Sequence, residues 1–248
     1  MSSVAMTRLA NDIYERAERL HATSFQSQNG AECIQTNQNA VELLKQAIVM
    51  GSLKARACLA DMLLNGDTAG IAPNHAEAQL LCDINHVDPD CEGVLAHCRF
   101  KREYHIRSRQ EHIRAAAEHS AAAGSKYGQF VVGLIESEGN PARALEQFAL
   151  AADQNYDQAQ IKLGELSLRA TPPNQDEALR LFELAALQGH IHAFYLIANM
   201  HKKNARERQD KNSQMEAIKW FTFRQETGCC LIAQNDLAEL NAMEFPDD

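Results

Sequence analysis

The sequence of 248 residues lacks any run of about 18 apolar residues, the length that a membrane-spanning helix needs. Its first twenty residues also lack the apolar core of a signal peptide, because charges recur from Arg8 onward. We therefore expect the protein to stay in the cytoplasm, with its seven cysteines as reduced thiols. Basic residues are outnumbered by acidic ones, and the net charge of −9 disfavours non-specific binding to nucleic acid or anionic membranes.

The sequence also lacks the short motifs that carry catalysis. It contains no phosphate-binding loop, no GxGxxG fingerprint after a strand, no nucleophile elbow and no HExxH motif. Glu136 and Glu138 are close in sequence, but they fall at a predicted helix end, where we interpret them as solvated charges. The sequence therefore predicts a protein that is not an enzyme and that needs no cofactor.

A pattern of small residues recurs six times along the chain. Each copy has a pivot residue, with Ala or Ile eleven positions before it and, in the first five copies, Ala or Gly four positions after it. The pivots, which are 31 to 39 residues apart, are Gly51, Pro89, Gly124, Asn155, Gly189 and Gly228. A period in the thirties is typical of stacked helical hairpins, in which one helix ends at the pivot and a second begins after it.

The fourth copy shows why these residue types favour a hairpin. Ala144, Phe148 and Ala151 recur at helical spacing, so one face of the first helix is apolar. Asn155 tolerates the left-handed backbone that ends a helix. A small residue nine positions after each pivot allows close packing of the second helix, and larger residues such as Phe148 and Leu163 fill the space between layers.

The combined motif, AxxxxxxAAxxG followed by AxxxLG, resembles the Sel-1-like repeat, a relative of the tetratricopeptide repeat. The resemblance covers about residues 40–240, and the copy at Pro89 departs from it most. It implies an all-α fold, a right-handed α-α superhelix (solenoid) of about six helical hairpins. We predict an N-terminal capping helix and polar loop over residues 1–38, with the loop over 21–38. One continuous solenoid domain over 39–242 and a short acidic tail over 243–248 complete the predicted organisation.

The resemblance also implies a role, since members of this family serve as non-enzymatic adaptors or scaffolds. The implied partner is another protein or peptide, in bacterial secretion, host interaction or toxin immunity and regulation, and the implied binding surface is the concave wall formed by the AxxxLG helices. Positions six after each pivot form an apolar row that we expect to face this groove. The predicted partner-binding residues are Leu95, Arg99, Phe130, Leu134, Gln158, Ile161, Glu165, His192, Tyr195 and Asn199. Alternatively, the apolar row packs between adjacent layers.

Two other features suggest different functions. Residues 99–114 and 202–211 are basic stretches at repeat junctions, and as loops they would attract an acidic partner or, less readily, nucleic acid. The simpler interpretation is solvated loops with local ion pairs. The second feature is a set of zinc-type ligands in the copy at Pro89, namely Cys82, His86, Cys91 and His97. They predict a metal-stabilised module, whereas the simpler interpretation treats the cysteines as buried packing residues.

Overall fold

The computed structural model of the chain describes residues 3–25, 29–66, 68–83, 88–227 and 230–243. Within these ranges the chain is helical, as predicted, and forms no strand beyond an isolated bridge between Thr68 and His190. The helices are α1 (Ser3–Ala22), α2 (Gly30–Val49), α3 (Leu53–Asn65), α4 (His75–Asp83), α5 (Pro89–Glu103), α6 (Arg107–Ala122), α7 (Lys126–Glu136), α8 (Pro141–Asp153), α9 (Asp157–Arg169), α10 (Gln175–Leu187), α11 (Ile191–Arg208), α12 (Lys211–Glu226) and α13 (Cys230–Asn241). Across this described part, no helix combines the length and the apolar character needed to cross a bilayer.

The last twelve of these helices form six hairpins, from α2/α3 to α12/α13, and α1 precedes the first hairpin. The pivots are the turns within the hairpins. Gly51, Gly124 and Gly189 have φ angles of 93°, 87° and 77°, and Asn155 has a φ angle of 55°. Glycine, and less readily asparagine, adopts this left-handed backbone at low cost, so the predicted reason for these residues is confirmed. The last pivot, Gly228, lies outside the described residues.

The pivot of the second hairpin, Pro89, lies within a helix and does not adopt a left-handed backbone. Pro89 is the first residue of α5, and the Asp88 carboxylate caps that helix by accepting from the backbone N–H groups of Asp90 and Cys91, each at 3.1 Å. Proline fits the first helical position because its missing N–H would have no partner there. Pro89 therefore starts a helix instead of replacing a glycine turn.

The polar loop predicted over residues 21–38 is wrong in its second part, because α2 begins at Gly30. The Asn29 side chain caps this helix by accepting from the N–H groups of Ala31 and Glu32 at 3.0 and 3.2 Å. The buried face of α2 includes Asn37, which is 0% exposed and donates to the Ala69 carbonyl at 3.1 Å. A polar residue at a core position interrupts the apolar period, and this is why the helix was not predicted.

Aromatic side chains join one hairpin to the next. Phe148 on α8 covers Gly133 on α7, and a Cβ atom added to that glycine would lie 2.6 Å from the phenyl Cδ1. Phe182 on α10 covers Gly164 on α9 in the same way, at 2.8 Å. The small residue nine positions after the pivot is therefore needed because the following hairpin places a phenyl ring there.

A row of side-chain amides adds polar contacts between the same hairpins. The Gln154 amide donates to Gln129 Oε1 at 2.8 Å, and the Gln188 amide donates to Gln160 Oε1 at 3.0 Å. Each donor stands one residue before its pivot, and each acceptor stands five residues after the preceding pivot. This pairing was not predicted, although the regular spacing of the glutamines is visible in the sequence.

Candidate functional site

Three members of the predicted apolar row lie inside the protein and not on an open groove. Leu95, Phe130 and Ile161 are each at most 3% exposed. The Phe130 ring lies 5.7 Å, centroid to centroid, from the Phe148 ring, and Ile161 belongs to the same hydrophobic cluster as Phe182. The residue six after a pivot faces the aromatic residue seven before the next pivot. The row therefore packs between layers, which is the alternative that the sequence left open.

The last member of the row, Tyr195, is partly exposed, but it also contacts the next hairpin. Its ring centroid lies 6.3 Å from that of Phe221 on α12, and the Arg224 guanidinium lies 4.6 Å from the Tyr195 ring centroid. His192 stacks on Tyr195 at 5.9 Å, and Gln158 lies 3.0 Å from the Nε2 atom of His190. Gln158, His192 and Tyr195, which were predicted to bind a ligand, therefore have partners within the protein.

The remaining predicted residues are half-buried and distributed over four different helices. Glu165 accepts from Lys162 on its own helix at 2.9 Å, and Leu134 packs against the hydrophobic cluster around Phe130. Arg99 lines a surface depression between α5 and α6, whereas Asn199 borders an apolar cleft in the fifth hairpin. The ten predicted residues thus do not form one continuous groove.

The inner side of the superhelix holds part of the chain itself. We call residues 18–25, from the end of α1 towards α2, the strap. Glu18 lies 3.5 Å from the Lys126 ammonium on α7. Farther along, the Phe25 N–H donates to the Leu187 carbonyl at the end of α10, at 3.1 Å. The strap therefore crosses the inner face from the third hairpin to the fifth, where an open groove was predicted.

The superhelix is closed tightly enough for distant hairpins to touch. The Tyr156 hydroxyl on the fourth hairpin donates to Asp61 on α3 at 2.8 Å. The Ala69 N–H, in the loop after α3, donates to the Gly189 carbonyl at 2.9 Å. These contacts join the first hairpin to the fourth and fifth. Polar side chains, among them Asp61 and Asp157, are buried in a polar interior between these hairpins and the strap.

Asp61 is the central polar group of that interior. It is 8% exposed and accepts hydrogen bonds from Tyr156 and from the Asn65 amide at 2.9 Å. Burial and the nearby Asp157 carboxylate raise the pKa of Asp61 to about 7. His97 lies 4.0 Å away, but burial lowers its pKa to about 3, so the neutral ring does not form a salt bridge. The arrangement suits a carboxyl group that changes charge near neutral pH.

Cys58, which borders the same interior, is not an activated nucleophile. Burial raises the pKa of the Cys58 thiol to about 12, so it stays protonated at neutral pH. Burial also lowers the pKa of His21, whose ring lies 3.1 Å from the Asn37 side-chain oxygen. Both side chains are therefore uncharged at neutral pH.

An apolar cleft of about 300 Å³ opens between α9, α10 and α11. Leu168, Leu196 and Met200 are partly exposed in it, and the fully buried Phe182 lies beneath them. Polar and basic side chains border the cleft, namely Gln175, Asn199, Lys203 and Asn204. The cleft thus presents apolar surface to solvent together with amide groups and one ammonium group.

A family model described as the Sel1 repeat matches residues 55–81, 123–156 and 157–190. The chain contains Sel1 repeats. Each matched unit joins the second helix of one hairpin to the first helix of the next, as in α7 with α8 and α9 with α10. The repeat unit therefore includes the contact between Gly133 and Phe148, or between Gly164 and Phe182, that connects consecutive hairpins.

Solved structures with Sel1 repeats have a similar fold. A protective antigen of uropathogenic Escherichia coli strains, which displays an SLR fold, matches with a TM-score of 0.51 and 18% identity. The match covers 93% of this chain but 56% of the antigen, so the chain spans little more than half of that protein. A Sel1 repeat protein from Oxalobacter formigenes matches with a TM-score of 0.50 and 19% identity, over 91% and 88% of the two chains. At such identities the similarity establishes the fold alone.

The remaining comparisons do not indicate a role for the protein. An immunity protein from Pseudomonas aeruginosa matches with a TM-score of 0.43 and 15% identity, over 96% of this chain and 85% of that one. That similarity is too low to transfer a role. No curated protein sequence matches the chain significantly.

The predicted metal ligands of the second hairpin that lie among the described residues, Cys82, Cys91 and His97, do not form a metal site. Cys82 and Cys91 are 0% exposed, and the hydrogen bond between their thiols, together with burial, raises the pKa of Cys82 far above its ordinary value. His97 contacts the Phe130 ring at 5.2 Å, while His86 lies outside the described residues. In the described ranges no three His, Cys, Asp or Glu side chains converge as metal ligands do. Cys82 and Cys91 are packing residues of the hydrophobic core.

The two basic stretches belong mainly to helices and not to loops. Residues 202–208 extend α11, which ends at Gln209 in a left-handed conformation with a φ angle of 50°. Lys202 is 8% exposed and binds Asp236 and Glu239 on α13 at 2.6 and 2.5 Å. The predicted basic loop over residues 202–211 is therefore wrong for most of its length, because α11 continues to Arg208 and Lys202, the first residue of the stretch, pairs with α13.

The stretch at residues 99–114 covers the end of α5 and the start of α6, and several of its basic side chains have partners within the chain. Lys101 donates to Asn65 at 3.1 Å, and Arg102 donates to Gln79 at 3.0 Å. Arg114 pairs with Glu136 on α7. The Asn65 and Gln79 amides are neutral, so of these three contacts only the pair with Glu136 offsets a positive charge.

Proposed function

We propose that this chain is a non-catalytic scaffold of the cytoplasm that binds a partner protein through the apolar cleft between α9, α10 and α11. Sel1 repeats generally mediate protein–protein binding, and this general role is the starting point. The observation that carries the proposal is the partly exposed apolar surface of Leu168, Leu196 and Met200. Packing between hairpins does not require these side chains to face solvent, and exposed apolar surface of this kind favours a binding site.

The size of the cleft favours a peptide side chain as its ligand. A volume of about 300 Å³ is at the lower end of the range for small-molecule pockets. One or two apolar side chains fill such a space, whereas a dinucleotide cofactor does not fit. Met200 has an unbranched, polarisable side chain that adapts to different apolar shapes. The ligand we expect is therefore a short protein segment with one or two large apolar residues.

The border of the cleft adds a preference for backbone and acidic groups. Asn199, Asn204 and Gln175 carry amides that both donate and accept, so they match the N–H and C=O groups of an extended peptide. Lys203 supplies the positive charge of the cleft, and it pairs with Glu207 on its own helix at 3.7 Å, where both side chains are exposed. An aspartate or glutamate beside the apolar residues of the ligand therefore increases affinity.

The experiment is a selection of displayed random peptides on the purified full-length chain. We expect the selected sequences to share an apolar residue with a neighbouring acid. Their affinity for the Leu196→Asp variant should fall at least tenfold, because the new carboxylate enters the apolar cleft. Lys203→Glu should weaken the acidic peptides selectively.

The matched control is Leu145→Asp, which makes the same change at a leucine on α8 that is 50% exposed and outside the cleft. Circular dichroism confirms that each variant keeps its helical content. Peptides that bind Leu196→Asp and Leu145→Asp equally well would refute the assignment of the cleft, and so would a selection without any shared sequence.

A further inference from the structure

The strap ends in an aromatic anchor that is buried among the last hairpins. Phe25 is 4% exposed, although it belongs to the connection between α1 and α2. Its ring centroid lies 5.1 Å from Phe194, 5.2 Å from Trp220 and 4.2 Å from Phe223. Phe194 comes from α11, and the other two rings come from α12. A side chain from the start of the sequence therefore fills an aromatic socket at the far end of the repeat array.

The other end of the strap is fixed by charge. Glu18 pairs with Lys126 at 3.5 Å, and the Lys126 side chain is 17% exposed. Phe25 stands seven positions after Glu18, and the N–H of Phe25 also bonds to the Leu187 carbonyl. The strap thus has three recognition elements, which are a carboxylate, an aromatic ring and one backbone donor.

A polar depression of about 340 Å³ lies beside α1 and is lined by Tyr14 and Glu15 on α1, Lys54 at the start of α3 and Asp90 at the start of α5. The middle of the strap also contacts the rest of the chain, because the His21 ring lies 3.1 Å from the Asn37 side-chain oxygen and Ser24 is 3% exposed. The two ends of the strap supply its charged and its aromatic contacts, and these are the contacts that a separate segment could reproduce.

We propose that the inner face of the superhelix is a ligand site, occupied in cis by the strap, that accepts from a partner protein a segment of the same chemistry. The partner segment carries a carboxylate for Lys126 and, about seven residues later, an aromatic side chain for the socket of Phe194, Trp220 and Phe223. This proposal goes beyond the proposed function, because it concerns a different surface from the cleft. The tethered strap competes with the partner through its high effective concentration.

The test uses a labelled synthetic peptide of residues 15–25 as the partner segment and the full-length chain as the receptor. A docked strap reduces apparent affinity by the fraction of chains whose site is open. The Phe25→Asp chain, whose own strap cannot fill the socket, should therefore bind the peptide at least tenfold more tightly than the unchanged chain. A peptide with Phe25→Ala should lose at least tenfold in affinity for either chain.

The protein contains one tryptophan, Trp220, and its fluorescence reports the socket directly. We expect Phe25→Asp to shift Trp220 emission to the red and to increase quenching by acrylamide, and we expect the added peptide to reverse both changes. Glu18→Lys repeats the test with Phe25 in place, because it puts like charges beside Lys126. It should increase peptide affinity in the same direction, by a smaller factor.

The control chain is Thr23→Asp, since Thr23 is exposed and its hydroxyl bonds only to the Arg19 carbonyl, at 2.8 Å, among the contacts described. Its affinity for the peptide should equal that of the unchanged chain. The proposal is overturned if the unchanged, Phe25→Asp and Glu18→Lys chains bind the peptide equally, or if none of them binds it. It is also overturned if the Phe25→Ala peptide binds as well as the original.

Discussion

The contact between Gly164 and Phe182 allows a quantitative test of how the hairpins are joined. An alanine at position 164 would place its Cβ atom 2.8 Å from Cδ1 and 2.9 Å from Cζ of the Phe182 ring. Favourable carbon–carbon contacts lie at about 3.5–4.0 Å, so the ring or the helix has to move by about 1 Å. Phe182 is 0% exposed, so a shift of its ring disturbs the side chains that are packed around it.

Two opposing effects set the size of the change. Overpacking a tight core costs about 1–3 kcal/mol, and replacing a helical glycine by alanine returns about 1 kcal/mol through helix propensity. The contact to a fully buried ring places this site towards the upper end of the first range. We therefore expect Gly164→Ala to lower the free energy of unfolding by about 1–2 kcal/mol, measured by urea denaturation and circular dichroism.

A double-mutant cycle separates the steric cause from any other. In the background of Phe182→Leu the obstructing ring atoms are absent, so Gly164→Ala should become neutral or stabilising by up to about 1 kcal/mol. The coupling energy between the two positions is then about 2 kcal/mol. A stabilising Gly164→Ala in the unchanged chain would refute the packing argument, and so would a coupling energy near zero.

Three further predictions follow from buried groups and pivots. Folding raises the pKa of Asp61 from 3.8 to about 7, so its contribution to stability is full below about pH 4 and is lost as the pH rises through 7. The free energy of unfolding of the unchanged chain should therefore fall by up to about 3 kcal/mol between pH 5 and 8. Asp61→Asn should flatten that part of the pH profile. An unchanged pH profile in Asp61→Asn would show that this carboxyl group titrates normally. Lys202→Ala should remove the cation that Asp236 pairs with and one of the two that Glu239 pairs with, the other being Arg206. It should destabilise α13 by about 1–3 kcal/mol, seen as faster amide exchange in that helix, whereas Lys219→Ala at the surface pair with Glu216 should have little effect. Gly189→Ala should lower the free energy of unfolding more than Gly51→Ala does. Both pivots have a positive φ angle, but an added Cβ at Gly189 would also lie 2.7 Å from the Asn37 amide nitrogen, whereas nothing lies within 4 Å at Gly51. Equal losses of stability would argue against this close approach.

Local features of this fold could be read from the sequence because local physics determines them. The turns at Gly51, Gly124 and Gly189 need a left-handed backbone, and few residues other than glycine supply it. Helical spacing of apolar residues also predicted one helix on each side of these pivots. The resemblance to the Sel-1-like repeat rested on the same positions, and the family match to residues 55–81, 123–156 and 157–190 confirms it.

The candidate site was harder to predict because it depends on contacts between distant residues. To predict a groove along Phe130 and Ile161, the direction of each side chain must be known. A shift of one helical position turns a side chain by about 100°, which decides whether it faces solvent or the next hairpin. Phe25 appeared to be part of a polar loop, since its socket is built by residues about 170–200 positions later in the sequence. The fold was therefore predictable from the spacing, whereas the inner face was not.

The closed inner face determines what each surface requires of a partner. The cleft is already open, so a ligand there keeps its full affinity and needs no prior change of the protein. The strap site is filled in cis, so a ligand there has to exceed the effective concentration of the tethered Phe25. The two surfaces are also joined, because Phe25, Phe182, Leu196 and Met200 belong to one hydrophobic cluster. Any change that a cleft ligand makes in the affinity of the strap site must be matched by an equal, reciprocal change at the cleft. A partner that carries both kinds of segment can therefore use the cleft to compete with the strap.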